Sequence, residues 1–231
     1  MIPITTPTPS GKAGGTPPAA TANDLVNGFW TANTAILDRA LAEPSLHSMG
    51  STLVAIEMLT SENTIAVVSV GDSRAYRLRD GDLWRITTDH TWEAALLSAG
   101  IEPAIGRRSR HILTRCLGST AAIDVDAWIL DLRPGDRFLL CSDGIHGVLD
   151  DTTIGTLLAG PDDGRTAQRV VDTAIDAHST DDVTALVADV VRARELATRL
   201  RRIDSARRHP SRRAARISRD PGVPAPRPIA S

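Results

Sequence analysis

The residues best placed to do chemistry in this 231-residue chain lie in one stretch, Arg137-Phe138-Leu139-Leu140-Cys141-Ser142-Asp143-Gly144. Phe138 to Cys141 is an apolar run long enough for a buried strand and too short for a helix. Pro134-Gly135-Asp136 before it is a turn signal. A carboxylate at the end of a buried strand is held rigidly at a rim where polar ligands can gather. Gly144 lets the backbone turn directly after it. The competing reading is an ordinary Ser-Asp-Gly turn, since Asp and Gly lead turn composition. Three histidines also come into view. His90, beside Asp89, reads as a metal ligand or general acid, or else as a packing or capping group. His111 reads as a flap-lining or a surface residue. His146 follows Asp143 closely, yet its place on the turn predicts a side chain facing solvent. Trp30, Trp84, Trp92 and Trp128 stand among apolar residues and are expected in the core.

The elements that must position these groups follow from periodicity. Asn23 or Asp24 is the expected cap of a first helix. Leu25, Phe29, Trp30, Ala32, Ile36, Leu37 and Leu41 give it one apolar face, and it should stop near Pro44. Thr52–Leu59 and Thr64–Val70 read as strands joined by Ser61-Glu62-Asn63, both covered on two faces. Ala75–Arg79 and Leu83–Thr87 form a second hairpin about Asp80-Gly81. Four successive antiparallel strands predict a meander, interrupted at Gly71-Asp72-Ser73. A short helix over Trp92–Ala99, a flap over Ile101–Arg110 and an apolar segment at Ile112–Leu117 come next. Val125–Leu132 is a strand leading into the central one. Helices at Thr152–Leu158 and Thr166–His178 and a last strand at Val183–Val190 complete the order. Hairpins with helices bunched between them indicate an α+β layered fold.

Composition bounds the setting. Hydrophobic residues make up 42%, as in a globular domain. No apolar run approaches the roughly 20 residues that span a bilayer, and no secretory signal is visible at the N-terminus. Cys116 and Cys141 lie in apolar surroundings and are expected as free thiols in a reducing cytoplasm, one disulfide being the alternative. The net charge of -2 hides an asymmetry. Residues 192–231 hold twelve arginines against Glu195, Asp204 and Asp220, a net +9, which leaves -11 for residues 1–191. The expected organisation is a disordered segment over 1–22, a folded domain over 23–191 and an Arg/Pro-rich basic tail over 192–231. Clustered arginine attracts phosphate. The tail has no recognition motif or interleaved aromatics, so docking on an acidic surface is preferred to nucleic acid.

Six motifs in order then resemble the metal-dependent protein serine/threonine phosphatases of the protein phosphatase 2C type, in their bacterial branch. They are S-M-G-S-T-L-V-A at 48–55, V-G-D-S-R-A-Y at 70–76, T-T-D-H-T-W at 87–92, L-T-R-C-L-G at 113–118, L-L-C-S-D-G at 139–144 and S-T-D-D-V-T at 179–184. The resemblance runs from about Asp24 to Val190. It implies a four-layer α-β-β-α sandwich of antiparallel sheets. It also implies hydrolysis of phosphoserine and phosphothreonine in proteins with Mn2+ or Mg2+, two or three ions. It places Asp143 and Asp181 as metal ligands and Asp89 as a ligand of a third ion near the flap. Asp182 stands where Asn is more usual, as a supporting acid or a simple variation. Gly144 belongs to the same motif, and Asp72 in G-D-S-R is expected to be structural. The expected partners are a phosphoprotein substrate and a serine/threonine kinase or its targets, in the cytoplasm.

One departure weighs against these matches. The family's early R-x-x-N-E-D and D-G-x-G-G motifs do not occur in this sequence. The fold is therefore expected to be N-terminally incomplete, and without the bridging carboxylate metal binding should be weak and activity low. A non-catalytic module that binds a phosphoprotein or kinase is the alternative. The missing strands should also leave a sheet edge unpaired.

Overall fold

The computed structural model describes residues 21–59, 63–102, 112–161 and 164–192. The chain divides into two compact units, Met1–Val191 and Arg192–Ser231. The second lies outside the described residues except for Arg192, as do Ser61, Glu62, His111 and most of the expected flap.

Helix α1 spans Ala22–Ala42. Its cap is Thr21 rather than Asn23 or Asp24: the Thr21 hydroxyl accepts from the Asp24 amide, and the Asp24 carboxylate accepts from the Thr21 amide. That reciprocal box moves the start two or three residues upstream of the expected one. A 3-10 turn, Pro44–Leu46, follows.

The strands are β1 (Leu53–Leu59), β2 (Thr64–Val70), β3 (Arg74–Arg79), β4 (Asp82–Arg85), β5 (Asp126–Asp131), β6 (Arg137–Cys141) and β7 (Ala185–Asp189). They form two antiparallel sheets, in the orders β1-β2-β5 and β4-β3-β6-β7. The expected four-strand meander is therefore incorrect: the two hairpins sit in different sheets. The crossing is made at Gly71, whose φ of +105° suits glycine alone among common residues. The β3–β4 turn does use Asp80-Gly81, with φ of 55° and 92°, the two positive values of a tight hairpin turn.

β2 is covered on both faces, but β1 is only half-buried because it is an edge strand. Phe29 of α1 packs on Val68 and Val70 at one face of the first sheet. Ile65 of the first sheet shares a cluster with Phe138 of the second. The far face of the second sheet is covered through Tyr76 and Leu139. Against them pack Ile145 of α3 (Asp143–His146), Ile154 and Leu158 of α4 (Asp151–Leu158), and Val170 and Ala174 of α5 (Thr166–Asp176). The result is an α+β fold with two antiparallel sheets.

The tryptophan expectation fails for three of four. Trp30, Trp84 and Trp92 are 38%, 60% and 49% exposed. Trp84 is on the edge strand β4, Trp92 opens α2 (Trp92–Ser98), and Trp30 is displaced from the core side of α1 by its neighbour Phe29. Both cysteines are free; Cys141 is buried, and burial pushes its thiol up to about 12.

Two polar ties lock the layers. Asn33, 1% exposed, accepts from the Gly118 amide at 2.8 Å and donates to the Thr120 carbonyl at 2.9 Å. Arg79 forks onto Asp136 at 2.6 and 2.7 Å, and also reaches Asp131 at the end of β5, clipping one sheet to the other. The Asp136 side chain is fully buried. Burial alone would raise its carboxyl, but the Arg79 guanidinium outweighs this and holds it below the usual carboxylate range.

Candidate metal-binding cleft

The apolar run 138–141 forms β6, the strand that pairs with both β3 and β7. At its end Ser142 caps the single-turn helix α3, and Asp143 is the first residue of that turn. The segment leading into β7 arrives alongside. The Ser142 hydroxyl donates to the Asp182 carbonyl at 3.0 Å and accepts from the Thr184 amide at 3.0 Å; the Ser142 amide donates to the Thr184 carbonyl at 3.1 Å. Gly144 permits the approach. A Cβ there would lie 2.5 Å from the Asp182 carbonyl oxygen, closer than real side chains tolerate. Ser-Asp-Gly is thus more than a turn. Serine clamps the neighbouring loop, glycine lets it close in, and aspartate is left at the rim.

The outcome is an open cleft of about 290 Å³ lined by Asp143, Gly144, Gly147, Val148, Ser179, Thr180 and Asp181. Asp143 is half-buried and Asp181 exposed. One Asp181 oxygen accepts from the Asp182 amide at 2.8 Å. Asp182 is exposed and gives its carbonyl, not its carboxylate, to the contact with Ser142.

Asp89 is engaged elsewhere. Arg74 holds it through Nε at 2.9 Å and Nη2 at 2.6 Å, and Nη1 of the same guanidinium donates to the Tyr76 hydroxyl at 3.0 Å. Tyr76 donates onward to Asp151 at the start of α4. Burial works against the charge on both partners, yet the pairing wins: the Asp89 carboxyl is lowered and the Arg74 guanidinium raised. Asp72 is 7% exposed, and its carbonyl accepts from His146 Nε2 at 2.9 Å. His146 therefore turns inward, contrary to the expectation that it faces solvent, because a buried carbonyl offers it a partner. Burial lowers its pKa. His90 is a brace. Its Nδ1 accepts from the Gly71 amide at 3.0 Å, which leaves Nε2 to donate to Asp126 at 3.1 Å. Burial dominates here too and holds the ring below its ordinary pKa.

The donor chemistry suits one hard divalent cation. Asp143 and Asp181 are oxygen ligands at an open rim, and Mg2+ or Mn2+ sites use one or two carboxylates with water and phosphate completing the shell. Among the described residues no group of three or more His, Cys, Asp or Glu could hold an ion. The groups that sequence reasoning missed are Ser142 and Arg74. Both lie inside quoted motifs, but only coordinates reveal what they grip.

No protein-family model matches the sequence. The chain is 38% identical over 162 residues to the serine/threonine protein phosphatase PstP of Mycobacterium tuberculosis, covering 69% of this chain and 31% of that protein. It is 35% identical over 129 residues to the serine/threonine phosphatase Stp of Listeria monocytogenes, covering 54% and 50%. The chain thus spans 31% and 50% of the length of these two relatives. The crystal structure of the PstP catalytic domain in complex with two manganese ions superposes with a TM-score of 0.68 at 36% identity, covering 77% of this chain and 74% of that one.

Proposed function

This chain belongs to the bacterial PPM-type (protein phosphatase 2C) family of serine/threonine phosphatases, and from that premise we propose that the Asp143–Asp181 cleft serves metal-dependent hydrolysis of phosphoserine and phosphothreonine in proteins. The observation behind this reading is that carboxylates from two separate strand ends line one open cleft. Asp143 and Asp181 would hold Mn2+ or Mg2+. Bound there, the ion supplies an acidified water and neutralises phosphate charge. Ser142 and Gly144 set the separation of the two acidic loops, and Asp182 adds negative potential beside them. Asp89 would join a further ion near the flap only by releasing Arg74, while Asp72 orients His146. Around the cleft we read the family's four-layer α-β-β-α sandwich over 23–191, and we assign 192–231 to a separate Arg/Pro-rich basic tail. No described helix is long and apolar enough to cross a membrane, and the free thiols agree with a cytoplasmic setting.

With two carboxylates and no D-G-x-G-G in these 231 residues, metal binding is weak and turnover slow. The test is phosphate release from a phosphothreonine peptide with Mn2+, alongside calorimetric Mn2+ titration. Slow release, abolished by D143N, by D181N or by chelation, is the expected result. Release indifferent to both substitutions would overturn the site, and tight binding with fast turnover would overturn its weakness. The lack of a three-ligand cluster among the described residues favours a second reading, a non-catalytic module that binds a phosphoprotein or kinase. Peptide binding without any release would select it.

A further inference from the structure

The Asp143–Asp181 cleft is lined by polar residues and glycine except at one place. Among the described residues that line it, Val148 is the only one whose side chain is wholly hydrocarbon. It is 39% exposed, whereas Ile145 and Leu149 on either side of it are buried in the core. The turn that follows α3 explains the difference. The Val148 amide donates to the Ile145 carbonyl at 3.2 Å, and the Leu149 amide donates to the same carbonyl at 2.9 Å. Leu149 takes the inward place, and Val148 is left at the rim.

That position is held firmly on both sides. Before it, the Gly147 amide donates to the Asp143 carbonyl at 2.8 Å, so Val148 belongs to the same turn that carries Asp143. After it, Leu149 is anchored in the core, and the Asp150 side chain caps α4 by accepting from the Thr153 amide at 2.8 Å. A β-branched side chain has little rotamer freedom, so an apolar surface stands ready beside the carboxylates with little left to order on binding. Hydrocarbon offers nothing to a hard cation, which takes oxygen ligands. It does offer a contact to the part of a substrate next to the phosphate. A cleft of about 290 Å³ is at the small end of ligand cavities, so little beyond that part can reach it.

Resting on the phosphatase reading of this cleft, we infer that Val148 determines its specificity: it packs against an aliphatic group carried on the phosphorylated residue or the one beside it, so the cleft selects phosphopeptides that have such a group. Two sources supply that chemistry, the methyl of phosphothreonine itself and an aliphatic side chain on an adjacent residue.

Four peptides test it, alike except that they carry phosphothreonine or phosphoserine, flanked by leucine or by glycine. Their affinities for the full chain in excess Mn2+ are read by fluorescence anisotropy, which works whatever the turnover. A methyl group buried against the valine is worth about fourfold in affinity. Expected is at least that preference over phosphoserine between glycines. It should fall to about twofold in V148T, which keeps the shape of the side chain and loses one methyl, and vanish in V148A. Val148 is exposed, so neither variant should unfold the domain. A preference lost between phosphothreonine and phosphoserine identifies the methyl as the source, and one lost between leucine and glycine identifies the neighbour; either upholds the inference. No preference in the unaltered chain, or one that both variants leave intact, overturns it, while phosphopeptide binding that is lost in D143N would still uphold the cleft. Phosphopeptides that bind no better than their unphosphorylated forms sink the reading of the cleft and this inference with it.

Discussion

Replacing Gly144 with alanine separates two physical effects of opposite sign. Gly144 lies within α3, and an alanine in a helix is favoured over glycine by about 1 kcal/mol. Against this, the new Cβ would sit 2.5 Å from the Asp182 oxygen and 3.0 Å from its carbon. Ordinary carbon–oxygen contacts are about 3.3 Å or longer, so α3 and the 181–182 loop must part by close to 1 Å. Both partners are backbone, so no side chain can swing away. Parting them strains the two bonds of the Ser142 hydroxyl, each 3.0 Å long and worth about 1 kcal/mol. Because neither backbone partner can swing away, the upper half of the usual overpacking range, about 2–3 kcal/mol, applies, and less the helical gain it leaves a net loss of about 1–2 kcal/mol. This is a fall in melting temperature of roughly 2–8 °C for a domain of this size. Chemical denaturation of G144A measures it, with Gly28→Ala as the control. Gly28 is exposed in α1 with nothing near its would-be Cβ, and alanine there should stabilise by about 1 kcal/mol. If G144A proves as stable as the unaltered protein, the loop does not close on α3 and the cleft geometry is wrong.

Other outcomes follow from the buried polar ties. Arg79→Met leaves the Asp136 carboxylate buried without its guanidinium and should cost about 3–5 kcal/mol by urea denaturation. Asn33→Leu strands the Gly118 amide and Thr120 carbonyl and should cost about 2–3 kcal/mol, read the same way. His90 and His146 are both held below their ordinary 6.5 in the fold. Their contribution is therefore complete above that pH and is lost as pH falls through the depressed folded values. The urea midpoint should start to drop in mild acid, before the carboxylates Asp89, Asp126 and Asp136, each lowered from 3.8, give way in stronger acid. His90→Gln should flatten the first part of that decline.

Much of this was readable from residue order, and the failures have definite causes. The run 138–141 announced β6 by its length and polarity, and Asp80-Gly81 announced a turn by needing two positive φ values. The six spaced motifs pointed to the family, and with it to Asp143 and Asp181 at one cleft. What escaped depended on distant partners. Nothing local distinguishes a glycine that ends a strand from one that carries the chain into another sheet, so residue order alone makes Gly71 an interruption within a meander. Periodicity put Trp30 on an apolar face but could not show that Phe29 takes the core position. Residue order does not single out Thr21 as the cap, because its reciprocity with Asp24, three residues on, is what decides. Arg74 gave no sign that it would occupy Asp89.

The passage of the chain between sheets at Gly71 has a consequence for assembly of the molecule. Once the two hairpins are apart, β2 gains its second neighbour only from β5, and β3 gains its own only from β6. Each of those pairings closes a loop of sixty or so residues, and the two loops overlap along most of their length. The strands of the two sheets therefore alternate along the chain, and neither sheet is built from one continuous segment. Folding must wait on contacts remote in the chain, which slows it, and a cut anywhere between β3 and β5 yields no half that is a domain in its own right.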